Sequence, residues 1–444
     1  MRYARRTLCC AAAAAAMLLL PLGANAAPAS HDHFPKSHDP GTQFFVPAPD
    51  SGAVKQVVGE LRKGHIKNAF LLSAMLAQGH AVWFTKGTPA QVQRDVRETM
   101  FEAALQRRVP VLVAYNLPFR DCGQYSSGGA RNTADYLAWI DGFAKGIGSG
   151  KALVILEPDG LGLVPGEGCT VSDADLAAAG LASQAEANTA RYDQLNGAVD
   201  RLEQQQNVSV YLDATHPGWL NVGDASTRLV HAGVQRAEGF FLNASNYQYT
   251  ANNVFYGTWI SDCIAYATSV SPGDYGGCPN QYWDGGPATG WDGDALDTYQ
   301  VWSDQPYSST RADLKWNTVG IDSRWPGMLG STVPTTHFVI DTSRNGVGPW
   351  NWSAAGYPNA GTAQDWCNPP ARGVGLRPTA STGNPLVDAY LWIKVPGESD
   401  GQCTRGLPAG SADPERGVID PAAGDWFPQQ ALELAQLANP ALLP

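Results

Sequence analysis

Four carboxylate-bearing stretches stand out, each placed just after a run of apolar residues. Arg120-Asp121-Cys122 follows 109-VPVLVAY-115, Glu157-Pro158-Asp159 follows 152-ALVIL-156, Asp213 with His216 and Trp219 follows 208-VSVYL-212, and Glu398 with Asp400 follows 389-AYLWIKV-395. A lone Asp after a strand is ordinarily a helix N-cap. Four such stretches reaching one rim suit acid–base chemistry instead: crowded carboxyls raise one another's pKa while a neighbouring Arg or Tyr lowers it, so one group keeps its proton and another stays ionised. Trp83, Trp219 and Trp366, at or near strand ends, and Tyr115 could offer flat apolar faces to the C–H faces of sugar rings, while carboxylate, His, Asn and Lys groups take the hydroxyls. For any one Trp, core packing is an equal alternative.

The elements that must position these groups follow from the hydrophobic pattern. Apolar, β-branched or aromatic runs at 80–85, 109–115, 152–158, 208–214, 239–245, 337–343 and 389–395 read as buried parallel strands. Helical patterns lie between many of them. One spans 89–108, with Thr88 as N-cap and Pro89 as first helical residue, and another spans 184–205. Alternation of strand and helix gives an α/β class, and the number of units favours a closed (β/α) barrel over an open sheet. Loops after the strands of such a barrel build the site. Residues 246–336 are too long for an ordinary connection and rich in Trp, Tyr, Gly and Asp, so they read as a functional loop. A second, Gly/Pro-rich excursion at 401–427 precedes a closing helix at about 428–438.

Composition narrows the class further. The chain has 444 residues, 44% hydrophobic and 16% charged, as expected of one large globular domain. Arg2, Arg5 and Arg6, an apolar run from 11 to 23 and Ala24-Asn25-Ala26 read as a secretory signal peptide at 1–26, leaving a loose arm at 27–42 and a domain at 43–444. Loss of those three arginines takes the formal charge from −11 to −14. Such an acidic surface repels nucleic acid and suits a neutral substrate. No later segment reaches the roughly 18 unbroken apolar residues of a membrane span. Cys122, Cys169, Cys263, Cys278, Cys367 and Cys403 remain after export and read as disulfides of open pairing, with no CxxC spacing or His cluster to suggest a metal. The Asp-rich part of the insertion (Asp284, Asp292, Asp294, Asp297) reads as solvated rather than ion-binding. The pseudo-phosphate loop 146-GIGSGKA-152 lacks the first Gly and the final Ser or Thr, and no GxSxG or HExxH occurs. Acids and aromatics in an exported barrel point to carbohydrate hydrolysis.

The motifs 113-VAYNLPFRDC-122, 154-VILEPDGL-161, 211-YLDATHPGWL-220, 240-FFLNASNY-247, 338-FVIDTSRNG-346, 366-WCNPPARG-373 and 389-AYLWIKVPGESDGQC-403 resemble, in order, those of glycoside hydrolase family 6. The resemblance implies a distorted (β/α) barrel and inverting hydrolysis of β-1,4-glucosidic bonds by a monomer without cofactor. It further implies Asp159 as general acid, Asp121 as the group raising its pKa and Asp400 as base. Tyr115 and Ser127 would hold the water and distort the sugar, and Asp213 would be a supporting carboxylate. Glucosyl contacts would come from Trp83, His216, Trp219, Asn246, Trp366, Lys394 and Glu398. The implied disulfides are Cys122–Cys169 and Cys367–Cys403, with Cys263–Cys278 as the remainder.

Two features pull apart. The short segment 123–136 resembles open-cleft endoglucanases, whereas 246–336 and 403–425 resemble exo-acting members with a roofed cleft; the two long loops favour a cellobiohydrolase working from non-reducing ends. An endoglucanase, a xyloglucan or mixed-linkage glucan specificity, and a catalytically silent carbohydrate-binding relative are the rival readings.

Overall fold

The computed structural model describes residues 40–286, 294–306 and 315–444. The leader, most of the arm and Asp292 lie outside them. Seven strands form one parallel sheet in sequence order: β1 (Val82–Phe84), β2 (Val111–Ala114), β3 (Ala152–Leu156), β4 (Val208–Asp213), β5 (Gly239–Leu242), β6 (His337–Asp341) and β7 (Val387–Leu391). Each apolar run of the sequence supplies one strand, because a sheet covered on both faces needs apolar residues at consecutive positions. Val111, Val113, Leu153, Ile155, Tyr211, Phe241, Val339 and Leu391 fill the inside of the curl. Leu112, Val154, Leu156, Val210, Leu212, Phe240 and Ile340 point outward to the helices.

The sheet curls without closing. No ladder joins β1 to β7; the seam is held by the Ala81 N–H donating to Trp392 O (2.9 Å) and by Trp83 Nε1 donating to Ile393 O (2.8 Å). The expected distorted barrel is therefore a seven-stranded, partly open one.

Helices α1 (Ser51–Arg62) and α2 (Ile66–Leu76) precede β1, and α3 (Pro89–Gln106), α4 (Thr133–Ile147), α5 (Asp173–Ala178), α6 (Gln184–Leu202), α7 (Val222–His231) and α8 (Thr250–Ala265) connect the strands up to β6. Thr88 caps α3 with Pro89 in the first turn, as the sequence predicts, and the structure adds a reciprocal capping box with Gln91. The short α9 (Val319–Asp322), α10 (Trp325–Leu329) and α11 (Ala360–Ala363) and the closing α12 (Pro428–Gln436) complete the chain.

The long loop expected at 246–336 is helical in part. It opens with α8, buried on more than one face through Asn252, Tyr256, Ser261 and Asp262. Trp302, Ile321 and Trp325 join the core outside the sheet. This region is mainly a crossover with a packed extension, stapled by Cys263–Cys278. The helix escapes a periodicity reading because a helix buried on several faces has no polar stripe. Among the described residues no helix is long and apolar enough to cross a membrane.

Candidate active site

Every acid of the opening argument sits at or after the end of a strand, and three of them, Asp121, Glu157 and Asp159, lie on backbone that the fold holds under strain. Among the described residues, thirteen non-glycine residues have positive φ, and all but Arg107 lie in the loops after β2 to β7, including Asp121, Cys122, Glu157, Asp159, Thr215 and Asn243. Such conformations cost on the order of 1–3 kcal/mol each and persist only where surrounding contacts impose them. The contacts are visible at β3. Glu157 is buried and accepts the Asn116 N–H at 2.8 and 3.0 Å and the Leu117 N–H at 3.0 Å, fastening the end of β3 to the chain leaving β2. Arg191 of α6 donates to Gly160 O and Leu163 O on one side and to Pro118 O on the other.

Asp159 emerges from that knot without a cation beside it. Burial, then the charges of Asp213, Asp121 and Asp400, push its pKa well above the carboxylate range. Asp121 is pushed up to about 6, first by burial and then by Asp400, against the Ser126 N–H, which donates to its Oδ2 at 2.7 Å, and the nearby Arg120. Arg120 itself ties the loop down, donating to Thr85 O, Tyr115 O, Ser126 O and Ser127 O, with its guanidinium 4.8 Å above the Tyr115 ring. Ser127 is thus placed through its carbonyl, and its residue is exposed. Asp213 is buried and lifted to about 6 by burial, while the Thr215 N–H donates to its Oδ1 at 2.9 Å.

Asp400 is the opposite case. Its Oδ2 accepts from Arg344 Nη1 (2.8 Å), the Asn368 N–H (2.9 Å) and the Tyr247 hydroxyl (3.2 Å), and Lys394 Nζ stands 3.7 Å from Oδ1. Burial alone would raise its pKa; Arg344 and Lys394 reverse that and leave it lowered. Asn368 locks the loop by accepting the Asp400 N–H and donating to Ser399 Oγ, Gly401 O and Asp420 Oδ2. Glu398, by contrast, is raised to about 7 by burial, with Lys394 opposing.

The aromatic groups fall into pairs around these acids. Trp83 meets Tyr115 edge to face at 5.4 Å, His216 lies 5.8 Å from Trp219, and Trp366 lies 5.8 Å from Tyr125. Burial holds His216 down to about 4, so the ring is neutral near pH 7, with Nδ1 accepting the Gly218 N–H. Trp219 lies against the Asp159 loop, where a Cβ at Gly162 would come within 2.6 Å of its ring. Asn246 turns its amide back to Ala244 O. Three bridges fix the rim: Cys122–Cys169 joins the Asp121 loop to the loop after Asp159, Cys367–Cys403 joins the Trp366 and Asp400 loops, and Cys263–Cys278 staples the insertion. These are the pairings the resemblance implies.

The sequence model of glycosyl hydrolases family 6 matches residues 39–438. This chain belongs to that family. It is 28% identical over 407 residues to endoglucanase A of Thermobispora bispora, covering 91% of this chain and 64% of that protein. A probable 1,4-β-D-glucan cellobiohydrolase C of Neosartorya fischeri is 31% identical over 353 residues, covering 74% of this chain and 62% of that protein. The chain thus spans less than two thirds of the length of either. Among solved structures, the endoglucanase Cel6 of Mycobacterium tuberculosis, bound to methyl-cellobiosyl-4-deoxy-4-thio-β-D-cellobioside, is 30% identical with a TM-score of 0.59, over 89% of this chain and 97% of that one.

Within this family 6 fold, Asp121, Asp159, Asp213 and Asp400 lie near enough to perturb one another, with Tyr115 among them. Sequence reasoning overlooked Arg344, Tyr247 and Asn368, which fix Asp400, and the structural role of Glu157. It also overlooked Asp341, whose buried carboxylate gathers the N–H groups of Ser245, Ser343, Ile393 and Lys394 and so joins the ends of β5, β6 and β7. A signal was available for Arg344: a buried acid on an exposed rim needs a cation, and Arg344 follows the end of β6 by three residues.

Proposed function

We propose that this chain hydrolyses β-1,4-glucosidic bonds of cellulose with inversion at the anomeric carbon. The observation that carries the reading is the contrast between two acids on one rim: burial and like charge raise the pKa of Asp159, while Arg344 and Lys394 lower that of Asp400. Asp159 donates its proton to the glycosidic oxygen as the bond breaks. A water attacks the opposite face of the sugar, and its proton passes to Asp400. Oδ2 of Asp400 is occupied by three donors, so Oδ1 is the oxygen that takes it. An inverting pair stands ~6.5–9.5 Å apart to admit that water; placing acid and base on β3 and β7 is consistent with such a gap. Asp121, charged or neutral near its pKa of about 6, tunes Asp159. Asp213 supports it, and Tyr115 and Ser127 hold the water and the ring. Trp83, His216, Trp219, Asn246, Trp366, Lys394 and Glu398 contact glucosyl units. Proton NMR of a digest tests the reading: α-anomer first is expected, and β-anomer first overturns it.

Action from chain ends is the mode we favour over an open endoglucanase cleft. The insertion after β5, being mostly packed outside the sheet, contributes less roof than its length suggests. The support comes from Tyr125, in the short loop after β2. It packs on Trp366, its hydroxyl accepts from Gln364 Nε2 at 3.1 Å, and a Cβ at Gly401 would lie 2.5 Å from its own Cβ. Loops after β2, β6 and β7 therefore meet one another, which supports a roofed cleft. Viscosity of a soluble cellulose derivative plotted against new reducing ends separates the modes: a shallow fall with cellobiose dominant fits a roofed cleft, and a steep early fall with mixed oligomers fits the endoglucanase. The leader at 1–26 and the three disulfides support export.

A further inference from the structure

Beyond Trp219 the molecule holds another indole in an unusual setting. Trp283 is 63% exposed, while Gln281 and Asp284 on either side of it are buried. The turn that carries it is rigid. The Asn280 N–H donates to Asp284 Oδ2 at 2.8 Å, the Tyr282 N–H donates to Asn280 Oδ1 at 3.0 Å, and Asp284 Oδ1 pairs with Arg324 at 3.1 Å. That turn is docked on the β4 loop. Gln281 Nε2 donates to Pro217 O and Leu220 O, and the Tyr282 hydroxyl donates to Trp219 O at 3.3 Å. The Cys263–Cys278 bridge anchors the chain just before it.

We propose that Trp283 is a distal sugar platform that stacks on a β-1,4-glucan chain extending past the Trp219 contact. The proposal rests on the glucan reading above and adds a contact to it. A large apolar ring left in water costs free energy in proportion to its area. Here the backbone around it is fixed by five hydrogen bonds and an ion pair, so receiving a flat ligand needs no ordering of the chain that carries the ring. An amphipathic ring of this kind suits the C–H face of a glucosyl unit. The neighbouring Tyr282 and Trp219 make the contact continuous with the site, so the ligand is the same chain held further along.

The test is calorimetric titration of the full mature chain with cellotriose and cellohexaose, on Asp159→Asn alone and with Trp283→Ala added, so that the sugars are bound without being cut, with thermal unfolding alongside. The expected result is a loss of about tenfold in cellohexaose affinity, ~1.4 kcal/mol, with cellotriose affinity and unfolding temperature unchanged and Trp283→Phe retaining most of the binding. Equal loss for both sugars, or none for cellohexaose, overturns the platform while leaving the glucan reading intact. An Asp159→Asn chain that binds neither sugar sinks both.

Discussion

The two halves of the rim treat the same side chain in opposite ways. On the β2–β4 side, Asp121, Asp159 and Asp213 are crowded together, fastened through backbone N–H groups and arginines that spend their donors on carbonyls. On the β6–β7 side, Asp400 receives the guanidinium of Arg344 directly and an ammonium as well. Burial raises every one of these carboxyls. What separates the proposed acid from the proposed base is where the nearest arginine points its hydrogens, a property of the loops and not of the aspartates.

Replacing Asp159 with Asn breaks the first half outright. Turnover on an unactivated glucan should drop ~10²–10⁴-fold, while a cellobioside with a dinitrophenolate leaving group, which needs no proton, should lose far less; similar losses on both would remove Asp159 from its role. Breaking the second half with Arg344→Met leaves a buried carboxylate short of its main partner, for which a stability cost of ~3–5 kcal/mol is expected. The acid limb of the pH–rate profile should also move to higher pH as Asp400 loses the cation that lowered it. Denaturant titration and the profile together check this, and an unmoved acid limb would mean another group reports there. The two halves also differ in how they are tied, and Cys122→Ser with Cys169→Ser isolates the first tie. The bridge spans 47 residues, so its loss is expected to cost ~2–4 kcal/mol, read as a lower unfolding temperature.

The smallest effect concerns pH and stability. Asp121 and Asp213, at about 6, and Glu157 and Glu398, at about 7, all have folded pKa values above their unfolded ones. Between roughly pH 4 and 7 the folded chain therefore binds more protons than the unfolded chain, and stability falls as pH rises through that window. Asp400, lowered, has the reverse sign and loses its contribution only at lower pH. Unfolding temperatures at pH 5 and 8 should differ in that direction, and Asp213→Asn should flatten the difference.

Much of the fold was legible because parallel strands buried on both faces must be written as apolar runs, and all seven were. Helices α3 and α6 were legible from their spacing and, at α3, from Thr88 and Pro89. The insertion was not, since the buried Asn252, Ser261 and Asp262 on different faces of α8 give no period to find. In the site, the acids could be seen because each follows a strand. The groups that decide their charge states could not: Arg344, Asn368 and Tyr247 are scattered along the chain and meet Asp400 only in the folded molecule.

Trp83 holds the seam between β1 and β7 through Ile393 O and faces Tyr115 beside the acids. The indole that would lie under a glucosyl unit is thus also the latch of the sheet, so ligand occupancy and latch opening compete in one equilibrium. Bound oligosaccharide should slow exchange of the Ala81 amide hydrogen by the factor through which it suppresses local unlatching.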